Sequence, residues 1–585
     1  MIVYRRDSRR IDPRAALRSL AQQVDRWRTD PPDHDAVTAA LIDFGMIEAA
    51  VADAIAPEQD AIHPLARAMR QVARLTGHVF WHSCHGDAER LALWSASLRC
   101  ELRDLLTQAL PEQAQTTIPE GYAWYAIHPE SYLRAALDFV RTERPDSAVC
   151  LGIRSIGTGL SAVVEAALRE SGIDAASYTV RPRGHPFDRR PRLAPGLART
   201  LAAWPQRFHL IVDEGPGISG SSMAGTAQCL IQLGVPEERI VFLPSWYTDG
   251  RHLRSELARV RWTRHRQYVS HYSPLCAAPR RPGNQGSQCL ELSAGQWRPM
   301  LIGSCEQFPA VQPQHERVKY LIRDGSHSVL RKFSGLGRFG EPLLERARQL
   351  HAAGFTPEPL GLSDGFLATR WVSGVPCTAG DAADPALFDT VIRYLAFLHG
   401  ECLGQPTINI GSLREMIRTN VAEGLGNEWT ERLERQPIFR SPPASDRVTA
   451  IDGRMMPHEW IRSGGRYVKS DALDHHADHF MPGCQDIAWD LAGFAVEFRL
   501  SRGARYALTR RFARTTDRAG ATDLTARLRF YTLAYLAFRL GYVTLAMESL
   551  GDAAELARFR ADAERYADLL KGELGGARAG LWVSR

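Results

Sequence analysis

The chain lacks any Cys-x-x-Cys pair. Its ten cysteines, at 84, 100, 150, 229, 276, 289, 305, 377, 402 and 484, are scattered, which argues against a zinc ribbon or a disulfide framework and for reduced, mostly buried thiols. It also lacks an apolar run of the ~18 residues that a membrane span needs. The opening MIVYRRDSRRID has no signal-peptide core, so a cytoplasmic chain without a membrane partner is expected. There is no basic run either. Lys plus Arg number 72 against 66 Asp plus Glu, a surplus of six that offers little to nucleic acid. No internal repeat is evident, and nothing in the composition fixes an oligomeric state.

What is present falls into segments, since 585 residues exceed one core and suggest three or four domains at about 150 residues each. Residues 1–117 read as successive amphipathic helices, among them PRAALRSLAQQVDRW and LARAMRQVARLTGHVF, and suit a scaffold or cap. His82, Cys84 and His85 in HSCH are metal-binding types, but no second cluster has matching spacing, so a polar helix end is expected. Over 118–270 apolar strands alternate with helices, SAVCLGI and FHLIVDE each leading through a small-residue turn into a helix. That alternation predicts an α/β doubly wound parallel sheet with ligands at the carboxyl ends of its strands. Residues 271–314, rich in Pro, Gly, Arg and Gln, read as a linker or arm, and 315–585 open on a hairpin signal and end in long amphipathic helices.

The sharpest local pattern is LIVDEGPGISGSSMAG at 210–225. A buried strand delivers Asp213 and Glu214 to its end, and Gly215, Gly217, Ile218, Ser219, Gly220, Ser221 and Ser222 follow before a helix that starts near Ser221. Converging amides, hydroxyls and a helix N-terminus suit a phosphate. Two carboxylates would repel that phosphate, so they must serve a neighbouring diol such as that of ribose. This combination resembles the signature of the type I phosphoribosyltransferases. The resemblance implies that Asp213 and Glu214 hold the ribose hydroxyls and that the loop from Gly217 to Ser222 holds the 5-phosphate. GPGI is one residue longer than the family's usual spacing. The turn after SAVCLGI, with Arg154, Ser155, Gly157 and Thr158, then corresponds to the pyrophosphate loop. VRPRGHPFDRR, with Arg181, Arg183 and His185, stands in the order of the family's mobile loop. The implied reaction displaces pyrophosphate from the ribose C1 of phosphoribosyl diphosphate, with Mg and Arg154 neutralising the leaving group. Tyr122, Trp124 and Tyr125 are candidates for stacking on an acceptor ring or for the core.

In the C-terminal segment a G-x-G-x-x-G stands at Gly335, Gly337 and Gly340, but no acid ends a second strand about twenty residues on. VLRKF, the following helix and GFLATRWVSG resemble instead the N-lobe of the aminoglycoside-phosphotransferase and protein-kinase-like superfamily. That resemblance implies an α+β bilobal domain in which Lys332 pairs with Glu345 or Glu341 and orders nucleotide phosphates. Asp471 corresponds to a metal-binding acid, Glu459 stands at the metal-binding Asn position, and Asp490 in DIAWDLAG takes a structural role. The catalytic base falls at Arg454, which cannot accept a proton, so His458 or another acid must serve, or the domain only binds. DHHADH, with Asp474, His475, His476, Asp478 and His479, also invites a metal reading. The fold class expected is therefore multidomain: a helical N-terminal region, a phosphoribosyltransferase-like sheet and a kinase-like domain. The function expected is phosphoribosyl transfer to an unidentified small-molecule acceptor. The alternatives are a non-enzymatic phosphoribosyl or nucleotide sensor, and a small-molecule kinase using ATP.

Overall fold

The structure, a computed structural model, describes residues 1–3, 8–271, 288–325, 327–404, 409–444, 447–516 and 521–575. Four helices lead: α1 (Pro13–Arg26), α2 (His34–Ile55), α3 (Pro64–His85) and α4 (Ala88–Thr107). Their ends are written locally. The Asp12 carboxylate accepts from Arg14 N at 2.8 Å and Ala15 N at 3.1 Å, with Pro13 in the first turn, and α3 stops at Gly86 with φ 66°. A short antiparallel pair, β1 (Ser8–Ile11) with β2 (Ala114–Thr117), ties the two ends of this region together.

Next come α5 (Glu120–Ala123), α6 (Pro129–Glu143), β3 (Ser147–Ile153), α7 (Gly157–Glu170) and β4 (Asp174–Val180). The hairpin β5 (Pro182–His185) and β6 (Asp188–Pro191) follows, then α8 (Pro195–Ala202), β7 (Phe208–Val212), α9 (Ser221–Gln232), β8 (Ile240–Leu243), α10 (Glu256–Arg264) and β9 (Arg266–Gln267). Five of these strands form one all-parallel sheet in the order β4-β3-β7-β8-β9. Every residue of β7 is buried because helices cover both faces. On one face lie α8, α9 and α10; on the other, α6, α7 and the leading helices share a single core with the sheet. Small residues permit that contact: a Cβ on Gly77 of α3 would stand 2.4 Å from the Ala162 carbonyl of α7. The first 117 residues are thus one wall of the α/β core.

The arm expected over 271–314 is narrower than that. Its residues 272–287 lie outside the described residues, but β10 (Gln288–Glu291) is a strand paired with β11 (Lys319–Asp324). The intervening 292–318 includes α11 (Arg298–Leu301). With β12 (His327–Phe333), β13 (Pro359–Ser363) and β14 (Phe366–Arg370) these strands make an antiparallel sheet, β10-β11-β12-β14-β13, backed by α12 (Glu341–Ala352). The chain then enters a largely helical lobe: α13 (Pro385–Glu401), α14 (Ile410–Leu425), α15 (Asn427–Arg435), α16 (Pro437–Arg440), α17 (Ala488–Glu497), α18 (Arg502–Thr515), α19 (Ala521–Met547) and α20 (Ala553–Leu574). A small sheet of β15 (Val375–Pro376), β16 (Trp460–Ser463) and β17 (Arg466–Lys469) lies at its upper edge. Contrary to the sequence expectation, Leu524–Met547 is long and apolar enough to cross a membrane. It is the central helix of this lobe, with 78% of that window buried against its neighbours.

Candidate functional sites

The α/β sheet places Asp213 and Glu214 at the carboxyl end of its central strand β7, and neighbouring loops fix them there. Gly121 N donates to Glu214 Oε2 at 2.9 Å, and the Tyr132 hydroxyl donates to the Asp213 carbonyl at 2.7 Å. Ser245, in the loop after β8, donates from its N to the Gly215 carbonyl at 3.2 Å and from its hydroxyl to the Glu214 carbonyl. The loop turns at Gly220, φ 62°, where a Cβ would fall 2.7 Å from Leu253 Cδ1 and 2.9 Å from Trp262 Nε1. Only glycine fits. Ser221 N, the first amide of α9, donates to Ser219 Oγ at 3.3 Å and Gly220 N to the Gly217 carbonyl at 3.2 Å, whereas no side chain caps the amides of Ser222 and Met223. The Ser221 hydroxyl is committed to the Pro186 carbonyl at the tip of the β5–β6 hairpin, 2.7 Å away, whereas Ser219 and Ser222 are half-buried. Burial pushes Asp213 up to about 7, and burial together with the Asp213 charge pushes Glu214 up to about 8. The pair is therefore not doubly ionised near neutrality.

Around it stand exposed apolar groups: Ile218 of the expected loop at 58% exposure and two that sequence reasoning missed, Tyr247 at 68% and Trp246 at 38%. Of the three aromatics read as stacking partners or core residues, Tyr122 and Trp124 are buried, and Tyr125 shares a 2.8 Å hydrogen bond with His479.

The arginines expected at the diphosphate require correction. Arg154 is 2% exposed at its side chain and pairs with Asp53 at 3.1 Å and with Asp60. Arg181 spans Asp53, at 3.0 Å from Nε, and the Arg154 carbonyl at 2.6 Å; Arg183 reaches Asp60 at 3.3 Å and the Pro57 and Ala56 carbonyls. Two aspartates of the leading helical region thus hold three arginines of the α/β part, so Arg154 is a buried structural cation rather than a free partner for a leaving group. Ser155 accepts from Thr158 N at 3.2 Å with its carbonyl, and Thr158 is fully buried. Gly157 packs so close to β7 that a Cβ would lie 2.4 Å from the Val212 carbonyl. His185 is exposed at the hairpin tip, its ring against Phe187. The half-buried Arg189, beyond that tip, is one of the cations whose field reaches Asp213.

A second centre lies between the antiparallel sheet and the helical lobe. Lys332 of β12 donates to Asp471 Oδ1 at 2.7 Å and Asp474 Oδ1 at 3.1 Å. Glu345, expected as its partner, is exposed on α12 beside Gln349 and Arg348. This corrects the expected Lys332–Glu345 pair, because the aspartates after β17 reach the ammonium. Lys469 lies between Glu459 Oε2 at 2.7 Å and Asp452 Oδ2 at 3.2 Å, and Arg454 Nε donates to Glu459 Oε1 at 2.8 Å. His475 Nδ1 stands 3.0 Å from the Asp452 carbonyl. Burial opposes its charge, but Asp471 and the bond to Asp452 hold it up at about 9. Asp490 accepts from the amides of Asp452 and Gly453, both at 2.8 Å. His458 is held by burial down at about 4 and stacks on Trp297, 5.3 Å between centroids. The sequence carries one signal for this centre that reasoning from motifs passed over: it has four lysines, and three of them, Lys319, Lys332 and Lys469, lie here.

Segment 292–318 crosses this centre. Arg317 pairs with Asp474 at 3.2 Å and Asp478 at 3.7 Å, and Glu316 accepts from Trp297 Nε1 and Lys319 Nζ, both at 2.8 Å. Farther along, Arg298 and Val311 N both donate to Glu555 of α20, at 2.5 and 3.1 Å. A resident Mg at Asp471 and Glu459 does not fit this arrangement. Both carboxylates already face Arg454, and Lys332, Lys469 and a charged His475 neutralise the rest. Among the described residues two donor groupings come within 4.8 Å, Asp452–Glu459–His475 and Asp471–Asp474–His475. Of DHHADH only Asp474 and His475 belong to them; His479 stacks on Trp124 at 4.3 Å.

No protein-family model matches the chain, and no curated protein does. Solved structures do align with it. A choline/ethanolamine kinase family protein from Mesorhizobium loti has 18% identity over 45% of this chain and 86% of its own, with a TM-score of 0.32. The choline kinase LicA from Streptococcus pneumoniae has 13% identity over 43% and 89%, TM-score 0.28. The macrolide 2'-phosphotransferase MphH from Brachybacterium faecium has 17% over 43% and 88%, TM-score 0.29.

Proposed function

We propose that the α/β part binds phosphoribosyl diphosphate at Asp213–Glu214 and transfers its phosphoribosyl group to a small-molecule acceptor. The observation that carries this reading is the acid pair at the end of the central parallel strand, beside an uncapped α9 N-terminus and a loop that turns on Gly220. The carboxylates would accept from the two ribose hydroxyls, and within the Gly217–Ser222 loop the amides of Gly217–Ser219 and Ser222 would take the 5-phosphate, since Gly220 N and Ser221 N are bonded inside the loop. Binding a diol favours the ionised acids, so the site releases protons as it fills near neutral pH. Because Arg154 is spent on Asp53 and Asp60, charge on the departing diphosphate falls to the Mg that travels with the substrate and to the backbone amides. Trp246 and Tyr247 offer the acceptor two exposed rings. The test is pyrophosphate release from phosphoribosyl diphosphate over a panel of acceptors. Turnover lost in D213A and kept in D471A is the expected result; binding without turnover in the wild type would reduce the site to a sensor.

A second reading rests on the Lys332–Asp471–Asp474 cluster. A half-buried lysine on an antiparallel sheet, set against acids from a helical lobe, suits a nucleotide phosphate chain once Arg317 is drawn aside. This reading makes the C-terminal half a small-molecule kinase or a nucleotide-binding partner of the first site. With Arg454 at the proton-acceptor position, binding is the better supported of the two. ATP consumption abolished by D471A and untouched by D213A would establish the kinase.

A further inference from the structure

A cavity of about 250 Å³ lies at the β4 edge of the parallel sheet, walled by α2 and α3 on one side and by β4 and α7 on the other. Strand β3 separates it from β7 and the acid pair. Its walls carry Arg67, Arg70, Arg74 and Arg169, together with Glu48 and Tyr178. The charges do not cancel. Arg169 is answered by Glu165 at 2.9 Å and Arg70 by Glu48 at 3.1 Å, whereas Arg67 and Arg74 have no carboxylate partner among the described residues. Arg74 reaches only the Gln71 amide oxygen. One further polar atom, Arg70 Nε, is buried without a hydrogen bond, whereas Glu48 Oε2, on a residue 3% exposed, is held in the ion pair with Arg70. Such an unbonded atom is costly unless something pairs with it.

We infer that this cavity is a second small-molecule site, built for the phosphate monoester of a compact hydroxylated compound such as a sugar phosphate. Arg67 and Arg74 take the phosphate, as paired guanidinium groups do. Arg70 Nε donates to a hydroxyl on the body of the ligand, and the ring of Tyr178 supplies an apolar face. The volume is below that of a drug-sized pocket and fits one sugar phosphate rather than a dinucleotide. Burial holds Glu48 up at about 7, so it can also meet a ligand oxygen as a protonated donor.

The experiment is calorimetric titration of the full chain with ribose 5-phosphate, glycerol 3-phosphate, inorganic phosphate and uncharged ribose. It compares the wild type with S219D, which sets a carboxylate in the phosphate loop of the acid-pair site and so closes that site to phosphate, and with R67A/R74A/S219D. Ribose 5-phosphate can enter both sites of the wild type, so S219D isolates the cavity: we expect a sugar phosphate to bind S219D at one site and the combined variant R67A/R74A/S219D about tenfold or more weakly. Ribose itself should not bind. Should the combined variant fail to fold, R67A/S219D, with Arg67 at the exposed mouth, decides. Equal affinity in S219D and R67A/R74A/S219D, loss confined to S219D, or no binding of any phosphate by the wild type would overturn the assignment. Loss confined to S219D would leave the phosphoribosyl reading intact.

Discussion

Asp213 and Glu214 illustrate how position rather than identity makes a side chain useful. Each carboxyl is raised by burial, so the folded protein holds protons that the unfolded chain gives up between about pH 4 and 8. Stability must therefore fall as pH rises through that window. Replacing both with their amides, D213N/E214Q, removes the penalty. We expect the double variant to be more stable than the wild type at pH 8.5, by on the order of 2 kcal/mol, with the gap closing near pH 5. Denaturant melts at the two pH values measure it, and a gap of the same size at both would contradict the burial of the pair. Gly220 is a second decisive residue. An alanine there meets Leu253 and Trp262 and must also hold φ 62°, so G220A should lose about 2 kcal/mol and weaken the phosphate binding proposed for this loop. The acid pair and its loop were legible because the whole pattern lies within sixteen consecutive residues. The partners of Arg154 were not, because Asp53 and Asp60 precede it by 101 and 94 residues and nothing local marks them.

Among the elements, the strand that was missed and the hairpin that was found make an instructive pair. The β11–β12 hairpin announces itself by apolar alternation around Asp324-Gly325. Strand β10 is only QCLE, set in a Pro, Gly and Gln background, and it becomes a strand because the edge of β11 is there to pair with it. Between them, 292–318 is anchored at its far end by Glu555, which accepts from Arg298 and from Val311 N. Removing that carboxylate leaves a buried guanidinium and a buried amide without their partner. E555A should therefore lose about 2–3 kcal/mol and open 292–318 to limited proteolysis before the rest of the chain, read by peptide mapping. Cleavage first in the helical lobe would show that the anchor lies elsewhere. The lysine–acid centre was legible only by half. Lys332 and Asp471 were named from the resemblance, but their direct contact, which displaces Glu345, depends on how β12 and β17 face each other across the lobes.

At the scale of the whole molecule, the division into three consecutive parts gives way to shared cores. The core on one face of the parallel sheet draws side chains from the leading helices, from α6 and α7, and from Phe333, Leu336 and Phe366 of the C-terminal half. Polar bonds cross the same boundary: Arg317 donates to the Ala123 carbonyl at 2.8 Å, and Leu336 N to that of Tyr122 at 3.0 Å. Hydrophobic periodicity reveals which face of a helix is buried but not which neighbour buries it, so this joining could not be read from sequence. Asp60, 1% exposed, shows its strength. D60A strips a buried partner from Arg154 and Arg183 and should lower stability by about 3–5 kcal/mol, destabilising the helical region and the α/β part in one transition. Two separated transitions in the melt would contradict a common core.

The measurement that bears most directly on the central claim is a thermal melt of the full chain with and without Mg-phosphoribosyl diphosphate. A ligand that binds only the native state stabilises it by about 2.7 kcal/mol at a hundredfold excess over its dissociation constant. The wild type and D471A should melt at a higher temperature with the ligand, and D213A/E214A should not respond. No shift in the wild type, or a shift that D213A/E214A retains, would contradict the assignment of Asp213 and Glu214 to a phosphoribosyl ligand.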